Sequence, residues 1–267
     1  MTAKARFPSK VLILAAGFGT RLKALGQNLP KGLLQSQTGE TLIARIIADV
    51  QQAFQTRNQP LPTLALVTNQ RFFTQYQDFF ANQLPELELQ ILNDGVTKST
   101  QRLGALGDLL LAVKQLGWFD QDVLVLSSDN FYSYSVGQLL DLFSQKQTFV
   151  TVARHLTKEQ IKGRFGCYVL GKDGLVKKFV EKPAQPPSEF AGSSFYIYPQ
   201  EVWPVVKKYQ QADGDLDAPG AIIPWLLKQG VKVYALVLEP GTLVIDVGTP
   251  ADVTKLAQAS SELNVSS

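Results

Sequence analysis

An apolar run, Val11–Leu14, leads into Ala15-Ala-Gly-Phe-Gly-Thr-Arg21, and Asn28-Leu-Pro-Lys31 follows shortly after. Ala15, Ala16, Gly17 and Gly19 carry little or no side chain, so backbone N–H groups can come close to an anion. Arg21 and Lys31 add the positive charge that a polyphosphate requires. Two common glycine loops are excluded. A P-loop closes on Gly-Lys-Ser/Thr, where this turn has Gly19-Thr20-Arg21. A dinucleotide fingerprint wants a third glycine where Leu22 stands. The plainest use of such a turn is a strand-to-helix junction, so the elements around it matter.

Apolar runs alternate with helical patterns through the first half, the signal of a parallel sheet with crossover helices. Strands are expected at Val11–Leu14, Leu64–Val67, Leu87–Leu92 and Val123–Leu126. The spacing predicts helices over Glu40–Phe54, Arg71–Leu84 and Leu106–Leu116. In open α/β sheets ligands collect beyond the carboxyl ends of strands, where both the first turn and Asp129 of Ser127-Ser-Asp-Asn130 fall. After Phe149 short strands dominate: Thr148–Ala153, Cys167–Leu170, Leu175–Val180 and Ser193–Tyr198, with a hairpin turn at Lys172-Asp-Gly174. Helices are expected at Glu201–Tyr209, Pro219–Gln229 and Ala251–Leu263, and strands at Val231–Leu238 and Leu243–Ile245.

The 267 residues suit one domain, 1–267, with two halves of different texture that meet at about 149–150. A net charge of +3 asks for no nucleic-acid or membrane partner, so any anion site must be local. The N-terminal residues lack the apolar core of a signal peptide, and the single cysteine, Cys167, fits a reducing compartment; cytoplasm is the expected location. Cys167 in its apolar stretch reads as a small buried hydrophobe. His155, the single histidine, lies outside every motif.

The opening string, Leu14-Ala-Ala-Gly-Phe-Gly-Thr-Arg-Leu22 with Pro30-Lys31, resembles the signature of the sugar-phosphate nucleotidylyltransferases. Three further strings match that family in order: Leu126-Ser-Ser-Asp-Asn130, Val180-Glu-Lys-Pro183 and Val244-Ile-Asp-Val-Gly-Thr-Pro250. The resemblance implies a Rossmann-like, mixed but mostly parallel sheet with flanking helices and a β-rich sugar-binding insertion. It implies Mg²⁺ as cofactor, held by Asp129 and Asp246, and an NTP and a sugar-1-phosphate as substrates. Arg21 and Lys31 would carry catalysis by stabilising shifting phosphate charge. Leu14, Ala15, Ala16, Gly17, Gly19, Thr20, Asn93 and Gly104 would bind the nucleotide; Gly166, Glu181, Lys182 and Gly192 would bind the sugar phosphate. A homo-oligomer is compatible with the resemblance.

Three departures stand out. The family's short Gly-x-Ala base-recognition turn is replaced by the longer, more polar Asn93–Asp108 segment, with Gly104 and Ala105 at the helix start and Asn93 or Asp94 facing the base edge. Arg102 there is either a phosphate contact or a solvated charge. Ser127-Ser128 replaces the usual glycine before Asp129, and Leu243 stands where relatives place an aromatic residue. Competing readings are cytidylyl transfer to a phosphorylated alcohol such as phosphocholine, and a catalytically silent nucleotide-sugar regulator. Transfer to molybdopterin would favour Ser-Arg-Met over Thr20-Arg21-Leu22, and a hexapeptide-repeat acyltransferase domain has no counterpart in the sequence.

Overall fold

A computed structural model describes residues 5–22 and 28–263. Its strands are, in order, β1 Lys10–Leu14, β2 Thr63–Thr68, β3 Leu89–Asn93, β4 Val123–Ser127, β5 Asn130–Tyr132 and β6 Phe149–His155, followed by β7 Cys167–Leu170, β8 Val176–Val180, β9 Phe190–Tyr198, β10 Val233–Val237 and β11 Val244–Asp246. The helices are α1 Leu42–Gln55, α2 Phe73–Gln83, α3 Ala105–Leu116, α4 Val136–Lys146, α5 Lys158–Ile161, α6 Trp203–Gln211, α7 Ile223–Lys228 and α8 Pro250–Leu263.

β1 is apolar from Val11 to Leu14 because both faces of that stretch are covered, as in parallel sheets generally. Its side chains alternate between two cores: Val11 and Ile13 join the core under α1, α2 and α4, while Leu12 and Leu14 join the core under α3, α6 and α7. The main path of the sheet runs β10-β6-β9-β4-β1-β2-β3, with the β7–β8 hairpin attached to β9. β3, β2, β1 and β4 are mutually parallel, and β9 is antiparallel to β4, β6 and β7. The sheet is therefore mixed and mostly parallel, with helices on both faces, as expected.

β9 brings the second half of the chain into the same sheet by pairing with β4. Chain order reverses about β1, whose neighbours are β2 on one side and β4 on the other. Such a switch point opens a crevice at the strands' carboxyl ends. A separate antiparallel ribbon, β5 with β11, stands beside that crevice and packs with α8 in a third core.

Four elements differ from the sequence expectation. α4 was not anticipated, although Val136, Leu139, Leu140 and Phe143 recur at helical spacing behind the Ser135 cap. β5 and the single-turn α5 also went unread. The expected helix over Pro219–Gln229 is a 3-10 turn, Pro219–Ile222, followed by α7. Pro224 explains the break: it lacks an N–H and fits the first turn of a new helix better than the interior of an old one. No described helix is long and apolar enough to cross a membrane.

Candidate active site

The turn after β1 is held from below by backbone and two buried side chains. Ala15 N–H donates to the Val67 carbonyl at 2.8 Å, Thr68 Oγ1 donates to the Ala15 carbonyl at 3.1 Å, and Asn69 Nδ2 to the Ala16 carbonyl at 2.8 Å. Ser128 N–H donates to the Leu14 carbonyl at 3.0 Å, which ties the ends of β1 and β4 together. Leu14, Ala15, Ala16, Gly17, Gly19 and Thr20 line one wall of a cavity of about 540 Å³. A Cβ built on Gly17 would meet nothing within 4 Å, so the turn faces open space.

Four charged residues converge beside it. Lys31 Nζ donates to Asp129 Oδ2 at 2.7 Å, and Ser127 Oγ donates to Asp129 Oδ1 at 2.5 Å. The ribbon sets the carboxylates together: Asp246 sits opposite Asn130, and Val247 N–H donates to the Asp129 carbonyl at 2.9 Å. Burial opposes the charge of Asp129, but Lys31 and the Ser127 hydroxyl hold its carboxyl below the usual range. For Lys31 burial again works against the charge, and Asp129 overcomes it, so the ammonium is strengthened. Burial and then the charge of Asp129 push Asp246 up to about 6, against Lys31, Arg21 and Arg154. Arg21 lies against Gly248, where a built Cβ would be 3.1 Å from Nη2. Arg21, Lys31, Asp129 and Asp246 all line the cavity.

The opposite wall comes from β7, β8 and β9. Gly166, Glu181, Lys182 and Gly192 line it, and Gly192 N–H donates to the Gly166 carbonyl at 2.8 Å. A Cβ on Gly166 would lie 2.3 Å from the Phe179 ring and 3.2 Å from Glu181 Oε2, so glycine here makes room for the neighbouring side chains. Burial raises the Glu181 carboxyl, with Lys182 opposing it across a 3.5 Å ion pair. Lys182 holds a left-handed backbone, φ 41, which costs a non-glycine residue of order 1–3 kcal/mol and tends to mark functional positions.

At the third wall the structure departs from expectation. Asn93 does not line the cavity. Its Nδ2 donates to Gln70 Oε1 at 2.8 Å and its Oδ1 accepts from Gly95 N–H at 2.8 Å, so the carboxamide is spent on its own turn. Gly104 does line the cavity, at the start of α3, but with a different task. Ala105 and Leu106 N–H donate at 3.0 Å to the carbonyls of Asp217 and Leu216, and a Cβ on Gly104 would lie 2.2 Å from the Leu216 carbonyl oxygen. With φ 82 the position is doubly closed to other residues. The N-terminus of α3 thus receives backbone from the second half. Arg102 is paired with Asp217 at 3.0 Å, both side chains being half exposed or more.

A family model described as nucleotidyl transferase matches residues 10–262. The chain belongs to the nucleotidyl transferase family. Among curated proteins, the glucose-1-phosphate adenylyltransferase of Bacillus subtilis (strain 168) is 27% identical over 243 residues, covering 84% of this chain and 60% of that protein. The enzyme of the same name from Desulfitobacterium hafniense (strain Y51) is 24% identical over 239 residues, covering 84% and 57%. The chain thus spans about three-fifths of the length of these two relatives. Among solved structures, a Bacillus anthracis protein described as a glucose-1-phosphate thymidylyltransferase, crystallised with sucrose, superposes with a TM-score of 0.75 at 19% identity, covering 94% of each chain. A UDP-glucose pyrophosphorylase complexed with UDP-glucose gives 0.75 at 18% identity, covering 96% of this chain and 99% of that one. At those identities the likeness speaks for the fold.

Within this nucleotidyl transferase, four residues at the site have no role in the sequence expectation: Ser127 and Ser193 line the cavity, Gly248 lies against Arg21, and Arg154 is close to Asp246. Ser127 and Gly248 are near neighbours of quoted motif residues and were legible in principle. Ser193, whose buried Oγ has no described partner, and Arg154, whose Nη1 donates to the Val244 carbonyl behind Asp246, carry no motif. Strand pairing alone brings them there.

Proposed function

We propose that the chain transfers a nucleotidyl group from a nucleoside triphosphate to a sugar-1-phosphate, with Mg²⁺ required and pyrophosphate released. The observation that carries this reading is a single cavity. An anion-ready turn with Arg21, Lys31 and two adjacent carboxylates forms one wall, and the Glu181–Lys182 pair lies across from it. The donor set fits the cation: two carboxylates, one raised by the other, suit a hard ion that keeps several water and phosphate ligands. Asp129 and Asp246 would hold Mg²⁺, which when bound supplies positive charge against the phosphate oxygens.

In this reading the turn over Gly17 and Gly19 seats the triphosphate, and the Arg21 fork fixes it. A phosphate oxygen of the sugar-1-phosphate attacks the α-phosphorus, and the bond to the β-phosphate oxygen breaks as pyrophosphate leaves. Lys31 stabilises the charge that shifts on the α-phosphate. Glu181 accepts from sugar hydroxyls while Lys182 holds the sugar phosphate. No nucleophilic side chain is required.

One observation touches the choline alternative, since Phe165, Phe179 and Tyr196 line the acceptor wall. A quaternary ammonium would seek open aromatic faces. Phe165 already carries the Arg154 and Arg164 guanidinia at 4.8 and 5.4 Å, and Phe179 packs on Tyr168 at 4.9 Å. The sugar reading is therefore preferred. The test is pyrophosphate release from a panel of nucleoside triphosphates with Mg²⁺, offered glucose-1-phosphate, other hexose-1-phosphates and phosphocholine. Release with a hexose-1-phosphate is expected; release with phosphocholine alone would overturn the reading.

A further inference from the structure

Among the described residues, most cations that line the cavity have an acid beside them. Lys31 is bonded to Asp129, Arg102 to Asp217, and Lys182 lies 3.5 Å from Glu181. Arg164 also lines the cavity and is exposed, yet its guanidinium has no ion-pair partner among the described residues. It lies instead 5.4 Å from the centre of the Phe165 ring, which lines the cavity too. The Arg154 guanidinium lies 4.8 Å from the same ring centre. Two like charges gathered on one ring repel each other, a cost that a bound anion would offset.

The backbone that carries Arg164 is tied at both ends of the cavity wall. Its own N–H donates to the Ile161 carbonyl at 3.0 Å, and Ile161 is fully buried with Cys167 and Ala191. Gly163 N–H donates to the Pro183 carbonyl at 3.1 Å, which joins the loop to the turn of Glu181 and Lys182. Arg154, on the shared ring, donates from Nη1 to the Val244 carbonyl in β11, the strand that ends in Asp246. Arg164 thus has one backbone bond with the turn of Lys182 and one ring in common with the cation that holds the Asp246 strand. An acceptor phosphate has to bridge those two places, since its oxygen must reach an α-phosphorus held at the carboxylates.

We propose that Arg164 binds the phosphate of the acceptor together with Lys182. The inference rests on the nucleotidyl-transfer reading above. A phosphate monoester carries about −1.5 to −2 charges at pH 7. Lys182 is partly neutralised by its neighbour Glu181, so one shared ammonium does not match that charge. The unpaired guanidinium supplies the rest, and its fork takes two phosphate oxygens at once. Contact with the Phe165 ring limits where the fork can swing before the ligand arrives, so less side-chain freedom is lost on binding.

The experiment uses the full chain and compares wild type with Arg164→Met and Arg164→Lys, each checked for folding by circular dichroism. Pyrophosphate release is followed with Mg²⁺ while glucose-1-phosphate, and then the triphosphate that supports the highest rate, is varied. Glucose-1-phosphate binding is also measured by titration calorimetry. Arg164→Met is expected to raise the KM for glucose-1-phosphate about 10- to 100-fold, the usual worth of a charge-assisted hydrogen bond, with little change in the KM for the triphosphate. Arg164→Lys, which keeps the charge and loses the fork, should fall between the two. An unchanged KM for glucose-1-phosphate in folded Arg164→Met, or a rise that the triphosphate shares equally, would overturn the proposal while leaving the transfer reaction standing. If wild type releases no pyrophosphate with any substrate pair, the transfer reading fails and calorimetry decides the role of Arg164. Binding of glucose-1-phosphate at least tenfold weaker in Arg164→Met would then support it, and unchanged or absent binding would overturn it.

Discussion

Two pairs of carboxyl groups stand at the same cavity, which Asp129, Asp246 and Asp108 line, and their surroundings give them opposite chemistry. Asp129 and Asp246 sit between Lys31 and Arg21; Lys31 holds Asp129 ionised at 2.7 Å, and Asp246, raised by its neighbour, is pushed only to about 6. Among the described residues Asp94 and Asp108 have no such cation, and Asp108 rises to about 7. The first pair keeps charge in a buried place because cations offset the desolvation; the second gives up a charge because nothing does. In this chain the difference comes from which loops the sheet brings together, since all four residues are aspartates.

The comparison can be broken most severely at the charged end. Arg21→Lys keeps the charge and loses the fork, and Lys31→Met removes the cation beside Asp129. Each is expected to lower kcat by roughly 10²- to 10³-fold, the usual cost of one phosphate-stabilising donor. Near-normal turnover in either folded variant would remove that residue from the chemistry. Next come Asp129→Asn and Asp246→Asn, expected to raise the Mg²⁺ concentration needed for pyrophosphate release about tenfold or more. The double variant should be little worse than the single ones, because residues that act as a unit lose function non-additively. An unchanged metal dependence in Asp246→Asn would leave Asp129 as the only protein ligand.

At the uncharged end the expected effect is on stability. The folded Asp108 carboxyl titrates near 7, above its unfolded value, so between about pH 4 and pH 7 the folded chain holds a proton that the unfolded chain has released. Stability of the wild type should therefore fall as pH rises through that window, by at most about 4 kcal/mol. Asp108→Asn should lose this slope. Urea unfolding at pH 5 and pH 8 reads it directly, and parallel curves for the two proteins would refute the raised Asp108 carboxyl. The smallest effect is expected at the rim, where Arg102 and Asp217 are well exposed. Arg102→Ala should change stability by only about 0–1 kcal/mol, checked by the same unfolding curves, since solvent screens such pairs.

The two ends also differ in how much the sequence shows. The turn after β1 is contiguous, built of small residues and directly followed by its cation, so local chemistry is enough to place it. The sheet was legible for the same reason: its strands are short apolar runs with clear periodicity. The entry of α3 depends on contacts more than a hundred residues apart. Gly104 reads as a helix start, but its geometry is set by the Leu216 and Asp217 carbonyls. Asn93 reads as a base-facing amide until Gln70 and Gly95 claim it. Asp108 reads as an ordinary acid in a first helical turn, and only tertiary burial makes it unusual. α4 was readable from its spacing, but its polar residues broke up the apolar signal.

The central claim is that the cation and triphosphate sit between Asp129, Asp246 and the turn over Gly17. The most direct test is a crystal of the protein grown with Mn²⁺ and a non-hydrolysable ATP analogue, with anomalous scattering used to locate the metal. The account predicts an anomalous peak bound by Asp129 and Asp246, with triphosphate oxygens in its coordination shell and Arg21 and Lys31 on the phosphates. A metal bound elsewhere, or a triphosphate lying on Glu181 and Lys182, would contradict it.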